Sequence, residues 1–469
     1  MQNVLNLAPE TTLTNYQEVP VVNTPYDLLP DEVLLSQEHY ESEVRSYPRR
    51  IPIAIKTTRG VIVEDTKGQI YVDCLAGAGA LPLGYNHSEI NQVMITQLNE
   101  GVPYQTLDLT TPSKDAFIKA VMQFLPSHFA KTARIQFCGP SGADAVEASI
   151  KLAKLYTKRN TMASFHGAYH GMTNGSLALT GSLGAKSRRT GLMSDVHFFP
   201  FPYSYRCKFG LGGAQGAKQS IRYIESVLCD DESGITKPAA IIVEPIQGEG
   251  GVIPASIEWL QELRRITTEH GILLIFDEIQ CGVARSGDHF AFEEAGIEPD
   301  ILILSKAIGG GMPMSIILYH EKFDCWNAGE HTGTFRGNQL AMASGAKTLE
   351  IIKRDNLAQN AKCRGEQLRA GLSALQTQFP QIGDVRGRGL MNGIEIVKPQ
   401  QSNKLGQAVA DPELAAKIQR AALELGLIIE KGGRQGAVLR FLPPLIISES
   451  QIEFVIATMA SAFATALDC

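Results

Sequence analysis

The sequence predicts an α/β protein in which a mostly parallel sheet presents a ligand site at the carboxyl ends of its strands. Two short apolar runs, Ile272–Phe276 and Ile301–Leu304, are rich in branched residues and too short for helices, so each indicates a buried strand. The first run is followed by Asp277 and the second by Ser305 and Lys306. Because ligands of open parallel sheets bind beyond these strand ends, the acid and the amine indicate one shared site.

An aspartate and a lysine placed in this way suit the chemistry of pyridoxal phosphate (PLP). The aldehyde of this cofactor needs a lysine to form a Schiff base, and its ring nitrogen needs an anion to stay protonated. Lys306 and Asp277 fit these two roles. Considered singly, Lys306 could be a solvated lysine at a strand end and Asp277 a helix cap, but the pair favours a cofactor site.

The composition bounds the class of protein. The chain has 469 residues, of which 44% are hydrophobic and 20% charged, as in ordinary globular proteins of about two or three domains. The net charge of −6 and the lack of a long basic run argue against nucleic-acid binding. Eight scattered cysteines without metal-ligand spacing predict free thiols, a cytoplasmic location and no metal site. No signal-peptide pattern and no run of 18 apolar residues is found, so no membrane span is expected.

The first part of the chain combines a polar arm with a predicted hairpin. Residues 1–45 are polar and contain four prolines, so we expect a loosely structured arm that lies on a partner subunit, with disorder as the alternative. The turn sequence at 65–68 separates two alternating runs, Gly60–Glu64 and Gln69–Asp73, which predicts two antiparallel strands.

A strand, a turn and a helix then predict a phosphate site. The strand is Arg134–Cys138, and the turn Gly139–Ala143 brings small residues and free backbone N–H groups to the start of a helix. The Ser141 hydroxyl could add a further donor. Such a turn is a weak signal alone, but it gains weight in a chain that also carries the aspartate and lysine. No G-x-G-x-x-G pattern is present, so a dinucleotide site is not predicted.

An aromatic, glycine-punctuated loop follows at Ser164–Ser176. Tyr169 is placed to stack on a flat pyridine ring, with core packing as the alternative. His166 and His170 are four residues apart, but glycines between them break a helix, so a metal site is not predicted there. Residues 200–218 form a long irregular insert, a type of loop that is often functional.

Charged residues at three further positions complete the candidate site. The strand Ala239–Val243 ends in Glu244, and Glu249 follows, so both could contact cofactor or substrate or be surface acids. Arg440 is a lone cation between apolar residues and therefore needs a carboxylate partner. Either a structural acid or the substrate could supply that carboxylate.

The remaining pattern is mainly helical. Thr334 precedes a helix and could meet a phosphate. Helices are predicted at about 88–100, 113–125, 255–270, 338–353, 358–377 and 412–425, with a strand-like segment at 387–397.

From about Tyr47 to the C-terminus the sequence resembles the fold-type I, class III aminotransferases. The segments that carry the resemblance are SGADAVEASIKLA, YHGMT, VEPIQGEGG, LLIFDEIQCGVARSG, LSKAIGGGMP, GTFRGNQLA and LRFLPPL. The resemblance implies a large PLP-binding α/β domain and a smaller α+β domain. The implied division is an arm at 1–45, the N-terminal part of the small domain at 46–100, the large domain at 101–345 and the C-terminal small domain at 346–469.

The resemblance also assigns roles to residues of this sequence. It implies that Lys306 forms the Schiff base, that Asp277 pairs with the ring nitrogen and that Gln280 contacts the ring hydroxyl. Thr334 would reach the phosphate in a neighbouring subunit, which implies a homodimer with shared sites. Arg440 would bind the α-carboxylate of 2-oxoglutarate or glutamate, and Glu249 would pair with Arg440 at other times. The implied cofactor-binding set is Ser141, Gly142, Ala143, Tyr169, His170, Glu244, Asp277, Gln280, Lys306 and Thr334.

One departure from the family leaves the substrate open. Several relatives carry an arginine for the distal carboxylate of the keto acid where this chain has Met172. The loop SFHGAYHGMT and the insert YSYRCKFGLGG resemble members that use L-2,4-diaminobutyrate as amino donor and 2-oxoglutarate as acceptor. Ornithine, acetylornithine, 4-aminobutyrate and diaminopelargonate precursors are alternative substrates, and an aminomutase or a decarboxylating relative would share the same lysine and aspartate.

Two functions of other classes fit the sequence less well. A nucleotide-binding oxidoreductase would use the turn Gly139–Ala143 for a pyrophosphate, but it would leave Lys306 without a role. A non-catalytic binding protein could keep the fold, and the intact pair of Lys306 and Asp277 argues against it.

Overall fold

The computed structural model describes residues 19–468, so the first 18 residues of the predicted arm and Cys469 lie outside the described residues. Within the arm, Glu32–Tyr40 form a helix, whose first turn is capped by the Asp31 side chain accepting a hydrogen bond from the Leu34 N–H. The arm is therefore more regular at these residues than its polar, proline-containing sequence predicted.

The predicted α/β core is built on one central sheet of seven strands. Six strands are parallel, and Ile316–His320 is antiparallel to both of its neighbours. In spatial order the strands are Ala133–Phe137, Ile316–His320, Ile301–Leu304, Leu273–Asp277, Ala240–Val243, Met162–Phe165 and Val196–Phe199. The expectation of a mostly parallel sheet is confirmed.

The two strands singled out in the sequence are neighbours at the middle of this sheet. They pair in parallel, with Asp277 opposite Ile303. Successive side chains point to opposite faces, so Leu274 and Phe276 join one apolar core while Ile275 joins a second one on the other face. Cover on both faces explains the unbroken apolar sequence, and it brings the polar residues that follow to the edge of the sheet.

The described residues also form three smaller sheets, of which the smallest pairs Ile246–Gln247 with Ile253–Pro254 and the other two are larger. The first of the larger two contains the predicted hairpin, and its strand Ile70–Asp73 also pairs in parallel with Leu427–Ile428 from the C-terminal part of the chain. The first sheet consists of Ile55–Arg59, Ile62–Asp65, Ile70–Asp73 and Leu427–Ile428, and the second of Ile382–Arg388, Met391–Ser402, Ala408–Ala410, Val438–Phe441 and Glu430–Gly432. The strand-like segment predicted at 387–397 is thus the turn and the two facing ends of a hairpin. The domain boundaries stay a prediction.

The helices agree with the predicted patterns to within a few residues. Two differences concern the insert, which is irregular only up to residue 212, and a C-terminal helix that was not predicted. The longer helices are Ser88–Asn99, Pro112–Phe124, Gly142–Thr157, Gly213–Cys229, Ile257–Glu269, Gln339–Arg354, Leu357–Gln378, Pro412–Glu424 and Glu449–Asp468.

The C-terminal helix, Glu449–Asp468, is the one helix of the described residues that is long and apolar enough to cross a membrane by length and composition, with a mean hydropathy of 1.3. It packs on Leu357–Gln378 and Pro412–Glu424 and buries Ile452, Val455 and other apolar residues there. Packing inside the protein accounts for its composition, so we interpret it as a core helix.

The turn after Lys306 provides a test of local packing. Gly310 adopts a left-handed conformation with φ +60°, and a Cβ there would lie 2.3 Å from Thr348 Oγ1 and 2.5 Å from Ser344 Oγ. Gly296 has nearly the same conformation, with φ +61°, but nothing within 4 Å of the added atom. We expect Gly296→Ala to lower the free energy of unfolding by about 1 kcal/mol and Gly310→Ala by about 2–4 kcal/mol.

Urea unfolding of the two variants measures the difference. Because both variants share the cost of the left-handed backbone, the excess loss in Gly310→Ala reports the contact alone. Equal losses would show that Ser344 and Thr348 move away without cost.

Candidate active site

A cavity of about 430 Å³ opens at the carboxyl ends of the central strands. It collects most of the residues that the sequence analysis proposed. It is lined by Ser141, Gly142, Ala143, Tyr169, His170, Gly171, Met172, Thr173, Glu244, Glu249, Asp277, Ile279, Gln280, Ser305 and Lys306. A larger cavity of about 740 Å³ lies between other helices and contains none of the predicted site residues.

Lys306 stands at the start of a short 3-10 turn directly after its strand. Its φ of +50° is unusual for a residue with a side chain and marks a backbone held by its surroundings. Among the described residues its amine has no hydrogen-bond or ion-pair partner. Burial lowers the pKa of Lys306, against the opposing effect of the nearby Glu249 carboxylate. The neutral, nucleophilic amine is therefore more populated than in water.

Asp277 is buried and fixed through both carboxylate oxygens. Its Oδ2 lies 2.8 Å from His170 Nδ1, and its Oδ1 accepts a hydrogen bond of 3.1 Å from the Ile279 N–H. His170 is fully enclosed, and its other ring nitrogen has no partner. The histidine therefore orients Asp277. Asp277 ends one central strand, Lys306 follows the adjacent strand, and both residues line the cavity.

The predicted phosphate turn forms one end of the cavity. Ser141 caps the helix Gly142–Thr157, and its hydroxyl accepts a hydrogen bond of 3.2 Å from the Ala143 N–H. At Gly142 an added Cβ would lie 2.7 Å from Ile279 Cδ1, so a side chain here would displace the end of the Ile279 side chain, which lines the cavity. The backbone donors and the helix dipole suit an anion here.

Hydrogen bonds hold this turn from behind. Asp144 Oδ2 accepts a bond of 2.6 Å from the Gly139 N–H and lies 3.2 Å from His331 Nε2. Cys138, Asp144 and His331 place possible metal-ligand atoms within 4.8 Å of one another. The Lys151 amine, 3.2 Å from His331 Nδ1, completes a chain of hydrogen bonds through the histidine. We interpret the group as support for the turn.

Tyr169, Glu244 and Gln280 also lie at the cavity. Tyr169 lines the cavity and is 38% exposed, so its ring is accessible to a bound group. Both Glu244 oxygens accept backbone N–H bonds, from Tyr169 at 3.0 Å and from Gly248 at 2.9 Å, and burial raises the pKa of Glu244 to about 7. Glu244 therefore links the loop at Tyr169 to the loop at Gly248. Gln280 also lines the cavity, and its buried side-chain oxygen has no hydrogen-bond partner among the described residues.

Arg440 is fully buried behind Glu249 and does not line the cavity. Its guanidinium lies 2.9 Å from Glu249 Oε1 and 2.8 Å from Glu430 Oε2. These distances define ion pairs, although the angles of neither contact satisfy a hydrogen bond. Burial favours the neutral form, but the two carboxylates prevail and raise the pKa of Arg440. The partner that the sequence analysis required is thus supplied by two acids of the protein.

Two of the predicted site residues, Thr334 and Arg440, do not line this cavity, and some residues that do line it were not predicted. Thr334 is exposed and lies outside this cavity, whereas Met172 lines it. Ile279 and Thr173, which line the cavity, were not predicted from the sequence, and neither was Glu430, which lies outside the cavity beside Arg440. Glu430 ends an apolar run, the signal that identified Asp277 and Glu244, so the same rule would have found it.

The arrangement fits PLP on its own geometry. A phosphate fits the N–H groups of the turn, and the open side chain of Gln280 suits a ring hydroxyl. The buried carboxylate of Asp277 suits a protonated ring nitrogen, and the partnerless amine of Lys306 suits an aldehyde. The site thus offers one group for each polar part of the cofactor.

Comparison with known proteins gives the same family. The model of the family described as "Aminotransferase class-III" matches residues 44–463. The chain is 53% identical over 428 residues to a diaminobutyrate--2-oxoglutarate aminotransferase of Rhizobium meliloti (strain 1021), a match that covers 91% of each protein. It is 51% identical over 429 residues to the protein of the same name from Haemophilus influenzae (strain ATCC 51907 / DSM 11121 / KW20 / Rd), covering 90% of this chain and 94% of that one.

Solved structures share the fold. An amine transaminase from an uncultivated Pseudomonas species, in a PLP-bound form, matches with a TM-score of 0.81 and 27% identity and covers 91% of this chain and 98% of its own. A Bacillus anthracis aminotransferase matches with a TM-score of 0.81 and 27% identity over 92% of this chain and 98% of that one.

Proposed function

This chain belongs to the class III aminotransferases, and from that premise we propose that it transfers the terminal amino group of L-2,4-diaminobutyrate to 2-oxoglutarate. The products are L-aspartate 4-semialdehyde and L-glutamate, and the reaction is reversible. The cofactor is PLP. The observation that carries the proposal is the placement of Lys306 and Asp277 on adjacent strands, facing one cavity that ends in a phosphate turn. The substrates are those in the names of relatives at 53% and 51% identity.

PLP supplies an aldehyde carbon that takes up the donor amine and a ring that withdraws electrons from the neighbouring C–H bond. We assign the movement of the proton from that carbon to the Lys306 amine. Its lowered pKa raises the share of neutral amine that can accept the proton. Asp277 keeps a negative charge at the ring nitrogen, and His170 keeps Asp277 in position.

The second half-reaction uses the same site. Arg440 binds the α-carboxylate of 2-oxoglutarate once Glu249 has moved away from it, since Glu249 is the member of the pair that lines the cavity. Because the product of the donor leaves before the acceptor binds, we expect ping-pong kinetics. Met172 offers no charge for the distal carboxylate, so this chain needs another group there.

We further propose a homodimer in which the exposed Thr334 serves the phosphate site of the partner. Phe335 beside it is 59% exposed, and Tyr104, Leu107 and Leu109 are 65%, 52% and 67% exposed. The segment that contains Phe335 lies beside the segment that contains the other three residues, because the Gln339 N–H donates to the Tyr104 carbonyl. A shared apolar patch supports burial against a second subunit. A cytoplasmic location is supported by the free thiol of every described cysteine.

Lys306→Ala tests the central role. We expect turnover to fall by at least about 10³-fold because both the cofactor anchor and the general base are lost. Glutamate formation from diaminobutyrate and 2-oxoglutarate measures the rate, and circular dichroism verifies the fold. Lys119→Ala, at an exposed lysine, is the matched control and should keep full activity. Near wild-type turnover in the Lys306 variant would refute the assignment.

Asp277→Asn keeps the shape of the side chain but removes its charge. We expect a loss of about 10³-fold in kcat with an unchanged fold, since the charge acts mainly in the transition state. Asp277→Ala should lose at least as much. Steady-state kinetics at saturating cofactor are the measurement, and a loss below tenfold would show that Asp277 is structural.

A panel of amino donors tests the substrate. With 2-oxoglutarate as acceptor, we expect the highest kcat/KM for L-2,4-diaminobutyrate, and lower values for ornithine, acetylornithine and 4-aminobutyrate. Double-reciprocal plots at several acceptor concentrations should be parallel. A higher kcat/KM for one of the other donors would keep the class and overturn the donor.

A further inference from the structure

Glu430 is a second acid on the substrate arginine, and the fold holds it firmly. Its strand, Glu430–Gly432, pairs antiparallel with Val438–Phe441, and Glu430 lies directly opposite Arg440 in that register. Its Oε2 is 2.8 Å from Arg440, and its Oε1 accepts a hydrogen bond of 3.0 Å from the Tyr47 hydroxyl. Its side chain is only 6% exposed. These two contacts hold the Glu430 carboxylate in place beside Arg440.

Glu249, the other acid on Arg440, is more exposed than Glu430 and lies at the cavity. It follows the two-residue strand Ile246–Gln247, lies at the cavity and keeps 36% of its side chain exposed. If Glu249 turns away to admit a keto acid, Arg440 is still paired with Glu430. We therefore take Glu249 as the acid that can leave Arg440 and Glu430 as the acid that stays with it.

The two acids and one arginine give the cluster a net negative charge, and Glu249 is the member of the cluster that lines the cavity. Other charges bear on it less directly. Arg50 lies near Glu249, but it is exposed to solvent and donates to the Lys431 carbonyl, so its effect is screened. The Lys306 amine would be bound to the cofactor in the holoenzyme, where it carries the charge of the cofactor linkage. Tyr47 stays neutral, because burial and the two acids raise its pKa.

We propose that Glu430 is a specificity-determining residue that keeps the arginine cluster net negative and thereby favours a net cationic amino donor over a zwitterionic one. The inference rests on the proposed function for its substrates. L-2,4-Diaminobutyrate carries two ammonium groups and one carboxylate, so it is a net cation. 4-Aminobutyrate has the same chain, terminal amine and carboxylate, but it lacks the α-ammonium and has no net charge. 2-Oxoglutarate is a dianion.

These charges predict effects of opposite sign for one substitution. Glu430→Gln keeps the size of the side chain and removes its charge, which leaves Arg440 and Glu249 as a neutral pair. The kcat/KM for diaminobutyrate should fall about tenfold, mainly through KM, while that for 4-aminobutyrate changes little. The KM for 2-oxoglutarate should fall, because the dianion no longer meets a net negative cluster.

The experiment compares the holoenzyme with Glu430→Gln and with Glu430→Asp, which retains the charge and should retain the wild-type ratio of the two donors. Glu424→Gln, on the surface helix Pro412–Glu424, is the control for the loss of an acid elsewhere. Calorimetric titration with glutarate, a dianion that does not react, gives a readout without turnover and should show tighter binding to Glu430→Gln. If that variant does not fold, Glu430→Thr suits the strand and provides the same comparison.

The outcomes separate the two proposals. A wild-type enzyme that turns over diaminobutyrate, together with a donor ratio that shrinks about tenfold and tighter glutarate binding in the variant, supports both. An unchanged donor ratio, or equal losses for both donors with weaker glutarate binding, overturns the role of Glu430 and gives it a structural one. Failure of the wild-type enzyme to use diaminobutyrate refutes the proposed function before any variant is compared.

Discussion

The parallel pairing of two buried strands, Leu273–Asp277 and Ile301–Leu304, is the constraint on which the site depends. Their apolar side chains are covered on both faces of the sheet, so neither strand can slip by one residue without turning its core side chains to the opposite face. With the register fixed at Asp277 opposite Ile303, the acid and Lys306 end on the same edge. The chemistry of the site is therefore a consequence of how the hydrophobic core packs.

Most of the charges at this edge are tolerated because another group compensates them. Asp277 is paired with His170, Glu244 accepts two backbone N–H groups, and Arg440 is held by two acids. Removing charged groups from water is costly, so a buried ion pair that lacks one member is strongly unfavourable. Lys306 is the exception among the described residues, since its amine has no partner in the protein. Its lowered pKa reduces that cost, and it leaves the amine available for the cofactor.

Local sequence signals were sufficient for four inner and edge strands of the central sheet, the phosphate turn and most of the cavity, whereas the strands Ile316–His320 and Val196–Phe199 were not predicted. Unbroken apolar runs identified the strands, and the polar residue after each run identified Asp277, Glu244 and Lys306. Contacts that depend on pairing between distant strands were not predictable. Glu430 meets Arg440 only through the register of two antiparallel strands, and Tyr47 reaches Glu430 across 383 positions of sequence. The C-terminal helix Glu449–Asp468 was missed because its mixed small and apolar residues lack a clear periodic face.

The most direct test of the account is the absorbance spectrum of the purified holoenzyme mixed with L-2,4-diaminobutyrate in the absence of a keto acid. We expect the absorbance band of the lysine-bound cofactor to convert to that of the aminated cofactor. One equivalent of aspartate 4-semialdehyde per site should be released, and added 2-oxoglutarate should restore the first band. A band that persists with this donor would contradict the substrate. A protein that takes up no PLP at all would contradict the site itself.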